Sequence, residues 1–207
     1  GTARAKAGPD RPTGGASGQN GQVTSFPGPA RTVPAQAFDL ARMSAGLAFA
    51  TALPALRDAL AKGPTAGAAV VQAPPGTGKT TLVPPLLATL GSGERRRVVV
   101  TQPRRVAARA AARRLSGLDG SPLGGRVGYT VRGERKAGPD TVVEFVTPGI
   151  LLRRLLADPG LEEVAAVVLD EVHERALETD LLVGMLAEVR ELREDLVLVA
   201  MSATLDA

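Results

Sequence analysis

The sequence predicts an α/β fold: a mostly parallel sheet with helices packed on both faces. Three observations carry that expectation. Nearly continuous Val/Leu/Ala runs at residues 68–72, 97–101, 165–169 and 196–201 have strand length, and strands buried on both faces read this way. Between them lie segments whose apolar residues recur at helical spacing. The junction after the first run, Ala73-Pro74-Pro75-Gly76-Thr77-Gly78-Lys79-Thr80-Thr81, is a Gly-rich turn between a strand and a helical stretch.

The elements follow in chain order. Residues 1–37 are rich in Gly, Pro, Ser, Thr and Gln and poor in large apolar side chains, so a disordered tail or linker is expected there. Composition shifts at Phe38, and residues 38–207 are expected to form the folded domain. Residues 52–60 read as a short helix with Pro54 in its first turn. The strand at 68–72 leads into the Gly-rich turn, and Thr81-Leu82-Val83 begins a helix. After the strand at 97–101, residues 104–115 form an Ala/Arg helix. Strands are expected at 127–131 and 142–146, separated by the turn-forming Gly138-Pro139. Residues 149–157 are helical, and the apolar strand at 165–169 follows. Leu177, Leu181, Leu182, Met185, Leu186 and Val189 share one helical face before the last strand at 196–201.

Composition bounds the function. The 207 residues suit one domain plus a tail, and 44% hydrophobic with 22% charged residues is ordinary for a globular chain. Aromatics make up only 2%, so the core must be built from Val, Leu and Ala, and no stacking platform for bases is visible. The absence of cysteine excludes disulfides and thiolate metal sites and fits a reducing, cytoplasmic compartment. No apolar run approaches the ~20 residues of a membrane span, and no membrane partner is expected. A net charge of +4, largely from arginine, is compatible with an anionic partner. The chain begins at Gly1 and stops at Ala207 just after a recognisable motif, which suggests a piece of a longer protein.

The turn at 73–81 matches G-x-x-x-x-G-K-[ST] at every fixed position except the first, where Ala73 stands for Gly. A strand, a Gly-rich turn and a helix N-terminus aim several backbone N–H groups and a positive dipole end at one point. Such a loop cradles a nucleoside triphosphate. Pro75, Gly76, Thr77, Gly78, Lys79, Thr80 and Thr81 are the candidate nucleotide contacts, with Lys79 as a point charge on the β- and γ-phosphates and the Thr80 hydroxyl as a Mg²⁺ ligand.

A second motif, Asp170-Glu171-Val172-His173-Glu174-Arg175, follows the strand ending at Leu169. A carboxylate at the carboxyl end of a strand neighbouring the phosphate loop lies beside it, so Asp170 is the candidate for the Mg²⁺ shell. Glu171 is placed to orient or deprotonate the attacking water. An acidic helix cap is the bland alternative. His173 is the only histidine in the chain, and its place inside the acidic motif makes it a catalytic candidate.

With these motifs the chain resembles the DEAH-type superfamily 2 helicases. Asp170-Glu171-Val172-His173 is similar to their D-E-x-H box, with Val172 in place of the usual Ala. Thr101-Gln102-Pro103-Arg104-Arg105-Val106-Ala107-Ala108 resembles their motif Ia, Thr147-Pro148-Gly149 their motif Ib, and Ser202-Ala203-Thr204 their motif III. The Gln72-Ala73-Pro74-Pro75 lead-in, the Ala/Arg run at 107–114 and Val131-Arg132-Gly133-Glu134-Arg135 look most like the bacterial HrpB branch.

The resemblance, which covers roughly residues 53–205, implies a RecA-like P-loop domain of an ATP-dependent RNA helicase. It implies ATP and Mg²⁺ as cofactors and single-stranded RNA, with DNA as the alternative, as partner. It also implies a second RecA-like domain beyond Ala207. Arg104, Arg105 and Thr147 would contact the nucleic-acid backbone, Arg114 would flank adenine, and Ser202 and Thr204 would link the two sites. For the arginines a solvated helix face competes, for Thr147 a helix cap, and for Ser202 and Thr204 locally satisfied hydroxyls. A nucleotide-dependent switch or assembly module that binds a protein partner without unwinding is the alternative function.

Overall fold

A computed structural model describes residues 38–61, 67–91, 97–174 and 176–203. The tail expected over 1–37 and the motif residue Thr204 lie outside them. The apolar runs form strands where their composition places them. β1 (Ala68–Gln72) and β2 (Arg97–Thr101) have the expected bounds, while β6 (Val164–Leu169) and β7 (Val197–Ser202) differ from expectation by one residue at an end or at each end. With β3 (Val127–Val131), β4 (Glu134–Lys136) and β5 (Val143–Val146) they make one seven-stranded sheet in the order β1-β7-β6-β2-β5-β3-β4. Every pairing is parallel except β3 with β4.

Helices cover both faces, and the side-chain alternation of β2 shows the division. Val98 and Val100 join the core under α1 (Leu40–Met43), a 3-10 turn at Ala48–Ala52, α2 (Leu53–Ala61), α3 (Lys79–Leu90) and α4 (Arg105–Asp119). Val99 points the other way, into the core under α5 (Pro148–Ala157) and α6 (Leu177–Leu192). Strand residues apolar on both faces are what a doubly covered parallel sheet requires. The aromatics among the described residues serve this core, since Phe38, Phe49, Tyr129 and Phe145 are all buried.

Three features depart from the sequence reading. Helix α3 starts at Lys79, two residues before the stretch expected, and runs through Pro84 and Pro85. Those prolines withdraw the donors that the carbonyls of Thr80 and Thr81 would use within the helix. The helix persists because residues 81–87 are all buried, so tertiary packing outweighs local propensity. Strand β4 was not expected. It pairs back onto β3 through the two-residue turn Arg132-Gly133, where Gly133 adopts φ 82°. Its sequence, Glu-Arg-Lys, has no apolar signal, yet those charges suit the edge of a sheet because they discourage further strand addition. Finally, β7 lies between β1 and β6, so the acidic strand is not the direct neighbour of the phosphate-loop strand.

Because β1, β2, β5, β6 and β7 all run the same way, their carboxyl ends share one edge of the sheet. In open α/β sheets, ligands bind outside that edge.

Candidate nucleotide and nucleic-acid site

The phosphate loop leaves β1 at Ala73, and its crest at Pro75 and Gly76 is exposed. Gly76 and Gly78 have φ of 77° and 98°. Gly78 is required twice over. Its left-handed backbone disfavours a side chain, and a Cβ there would stand 2.9 Å from Leu47 Cδ1. The segment that crowds it also holds the loop from behind, because the Phe49 N–H donates to the Thr77 carbonyl at 2.9 Å. Thr77 Oγ1 donates to the Pro74 carbonyl at 2.8 Å, closing the turn. Thr81, one turn into α3, is buried.

Lys79 is only 4% exposed. Its Nζ donates to the Ala73 carbonyl at 3.1 Å, so the ammonium folds back under the loop's own backbone. A buried cation under a Gly-rich turn that opens a helix is an arrangement suited to a phosphate chain.

Although β7 separates their strands, the phosphate loop and the acidic motif meet. Thr80 Oγ1 donates to Asp170 Oδ2 at 2.6 Å, because the first turn of α3 reaches across the end of β7. Gln102 Nε2 donates to the same oxygen at 2.6 Å, and the Glu171 N–H donates to Oδ1 at 2.9 Å. Burial pushes the Asp170 carboxyl above its ordinary range, and these three donors with the Lys79 charge only partly offset it. A buried acid held by neutral donors has room for a cation's charge. Thr80 and Asp170 therefore fit a Mg²⁺ site that shares its ligands with phosphates.

Glu171 has φ 56°, a left-handed conformation that costs a non-glycine residue about 1–3 kcal/mol. Strain of that kind concentrates at functional sites, and here it turns the chain from β6 into a 3-10 turn at Val172–Glu174. His173 Nδ1 lies 3.4 Å from Glu171 Oε2 and accepts from the Ala203 N–H at 3.4 Å. Ser202, at the end of β7, is buried, and its carbonyl accepts from the Ala73 N–H at 3.2 Å. The motif containing Ser202 is thus in contact with both the phosphate loop and the acidic box.

On the neighbouring strands β2 and β5, the same edge carries two helix starts. Arg104 caps α4 and Thr147 caps α5, and neither side chain bonds the helix it precedes. The helix-cap alternative for Thr147 is thus not realised by its hydroxyl. Arg104 is 78% exposed and reaches Glu174 only at 3.9 Å, while Arg105 is exposed beside it. Two helix N-termini with exposed arginines beside them form an anion-attracting edge. The arginines of α4 do not share one environment, however. Arg109 Nε donates to Glu134 of β4 at 2.8 Å, and the Tyr129 hydroxyl donates to that carboxylate too. Arg114 is exposed on the third turn of α4, about 13 Å along the axis from Arg105.

Sequence reasoning missed two groups. Gln102 was read as part of a motif and given no role, although a polar residue closing an otherwise apolar strand was a usable signal. Leu47 and Phe49 had no signal, since their contacts to the loop arise only from folding.

The comparisons with known proteins agree with this geometry. A sequence profile for the DEAD/DEAH box helicase matches residues 50–207. A probable ATP-dependent RNA helicase, the DHX35 homolog of Caenorhabditis elegans, is 45% identical over 133 residues, covering 64% of this chain and 18% of that protein. The crystal structure of the Escherichia coli DEAH/RHA helicase HrpB superposes with a TM-score of 0.71 at 42% identity, over 78% of this chain and 20% of that one. A second crystal structure, described as the E. coli DExH-box NTPase HrpB, gives 0.70 at 42% identity, also over 78% of this chain and 20% of that one. The sheet is therefore the RecA-like arrangement, and this chain spans about a fifth of the length of these relatives. With a matching profile over most of its length and a phosphate loop joined to a D-E-x-H box, the chain belongs to the DEAD/DEAH box helicase family.

Proposed function

We propose that this chain is the amino-terminal, ATP-binding motor domain of an ATP-dependent RNA helicase that works in the cytoplasm. The single observation that carries the reading is the 2.6 Å contact between Thr80 and Asp170, which brings the phosphate loop and the acidic box into one site. Beside it, on the same sheet edge, stand the helix starts at Arg104 and Thr147.

Each residue then has a task. The backbone N–H groups of Pro75-to-Thr81, proline excepted, hold the phosphates, and Lys79 adds its charge to them. Thr80 and Asp170 would hold Mg²⁺, whose charge offsets that on the phosphoryl oxygens during transfer. Glu171 orients the attacking water and takes its proton. His173 lies between Glu171 and Ala203 and positions the former against the motif at the end of β7, where Ser202 and Thr204 relay nucleotide state. Arg104, Arg105 and Thr147 grip phosphates of single-stranded RNA, a sequence-independent task. Arg114 sits at the rim, where the resemblance assigns it to adenine.

The site as described has one wall. A second RecA-like domain would supply the opposing wall and its arginines, a contribution worth about 10³–10⁵ in rate. The test is steady-state ATP hydrolysis with and without single-stranded RNA, for the native polypeptide containing this sequence and for the 207-residue chain alone. RNA should stimulate the former strongly and the latter little. Equal stimulated rates would contradict the two-wall reading, and no stimulation of either would favour a switch that binds a protein partner.

A further inference from the structure

Gln102 directly follows β2 and is 6% exposed. A buried amide costs free energy unless it is hydrogen-bonded, so a strand end among Val and Leu needs a reason to carry one. Its side chain supplies that reason on the nucleotide side: Nε2 donates to Asp170 Oδ2, the oxygen that also accepts from Thr80. Its main chain faces the other site. The Gln102 N–H donates at 2.8 Å to the carbonyl of Val146, the residue before Thr147. Two residues further along the chain, Arg104 opens α4. One residue therefore touches the carboxylate of the nucleotide site and the exits of both strands that lead to the nucleic-acid edge.

We propose that Gln102 is a positioning residue that couples nucleotide occupancy at Asp170 to nucleic-acid grip at Arg104 and Thr147, beside the motif at the end of β7. The proposal rests on the helicase reading above. Coupling between two sites requires an element whose arrangement both sites bias. Asp170 Oδ2 already accepts two hydrogen bonds, so any further demand on that oxygen is felt at the Gln102 amide. The amide sits on the same residue whose backbone ties β2 to β5, so the load passes to two helix starts rather than one.

Gln102→Met keeps length and volume but removes the donor, and Gln102→Leu does the same with a branched side chain. In the native polypeptide containing this chain, the affinity for fluorescein-labelled decauridine is measured by anisotropy with and without the Mg²⁺ complex of a non-hydrolysable ATP analogue. The wild type should change its RNA affinity by at least about 5-fold on adding nucleotide, with the same factor in the reciprocal titration. In Gln102→Met the factor should fall to within about 2-fold of unity, while nucleotide-free RNA affinity stays within about 3-fold of wild type. Variants that keep the wild-type factor would overturn the proposal. So would an equal loss of RNA affinity with and without nucleotide, or loss of the fold in both variants, because either makes Gln102 merely structural. A wild type that binds neither ligand would instead sink the helicase reading itself.

Discussion

Two buried carboxylates stand on this sheet and have opposite environments. Glu144, on β5 beneath α5, is fully buried and meets two arginines: Arg97 Nη1 at 2.9 Å and Arg154 Nη2 at 3.1 Å, with Thr130 Oγ1 at 2.6 Å. Burial pushes its carboxyl up, but Arg154, Thr130 and Arg97 together outweigh it and hold the group below its ordinary range. Asp170 meets hydroxyl, amide and backbone donors, and burial prevails. One acid is neutralised by the protein and fastens β2, β3, β5 and α5 together. The other has no guanidinium partner among the described residues, and on the helicase reading a cation would neutralise it. Burial alone does not distinguish the two acids; their partners among the described residues do.

The comparison breaks first at the residue after Asp170. Glu171→Gln keeps the shape and removes the base, so hydrolysis should fall about 10²–10⁴-fold while Mg²⁺-nucleotide binding, read by calorimetry, is retained. Wild-type turnover would make Glu171 a structural cap.

A smaller effect is expected at the structural acid. Glu144→Ala strands Arg97 and Arg154, whose side chains are 10% and 25% exposed, and should cost about 3 kcal/mol in urea unfolding. The pH dependence has a definite sign. A carboxyl depressed in the folded state stabilises it above the unfolded value, and that contribution fades as pH falls below about 4.3 toward the folded value. Glu144→Gln should therefore flatten the loss of stability on the acid side. An unchanged acid limb would show that the arginines do not hold Glu144 as described.

The smallest effect sharpens the outer edge of the site. Replacing Arg104 and Arg105 with Ala should weaken RNA binding for all sequences and reduce the slope of log affinity against log salt by about 1.4, the value for two phosphates of a single strand. Loss confined to one RNA sequence would mean that these residues read bases.

The same contrast explains what was legible in the sequence. Runs such as Arg97-Val98-Val99-Val100-Thr101 fall in the sheet with the bounds expected, because β-branched runs buried on both faces have few other fates. That Thr80 and Asp170 would meet was legible, because motifs that follow parallel strands fall on the one edge where those strands end. Strand β4 was not, since its stability comes from Glu134 meeting Arg109 and Tyr129, a tertiary contact. Nor did spacing disclose that β7 separates β1 from β6, because strand order is set by packing and not by local pattern. The contact of Gln102 with Asp170 is likewise tertiary, although the polar residue after an apolar run was a usable signal.

The central claim is that Asp170 holds the ligand and Glu144 holds the fold. It is tested most directly by Asp170→Asn and Glu144→Gln side by side, with thermal unfolding and Mg²⁺-ATP calorimetry on each. Asp170→Asn should keep or slightly raise the midpoint, because it removes a carboxylate whose burial disfavours its charge, and should lose Mg²⁺-dependent nucleotide binding. Glu144→Gln should lower the midpoint and bind nucleotide with near wild-type affinity below that temperature. The reverse pattern, with Mg²⁺-dependent binding intact in Asp170→Asn and lost in folded Glu144→Gln, would contradict the account.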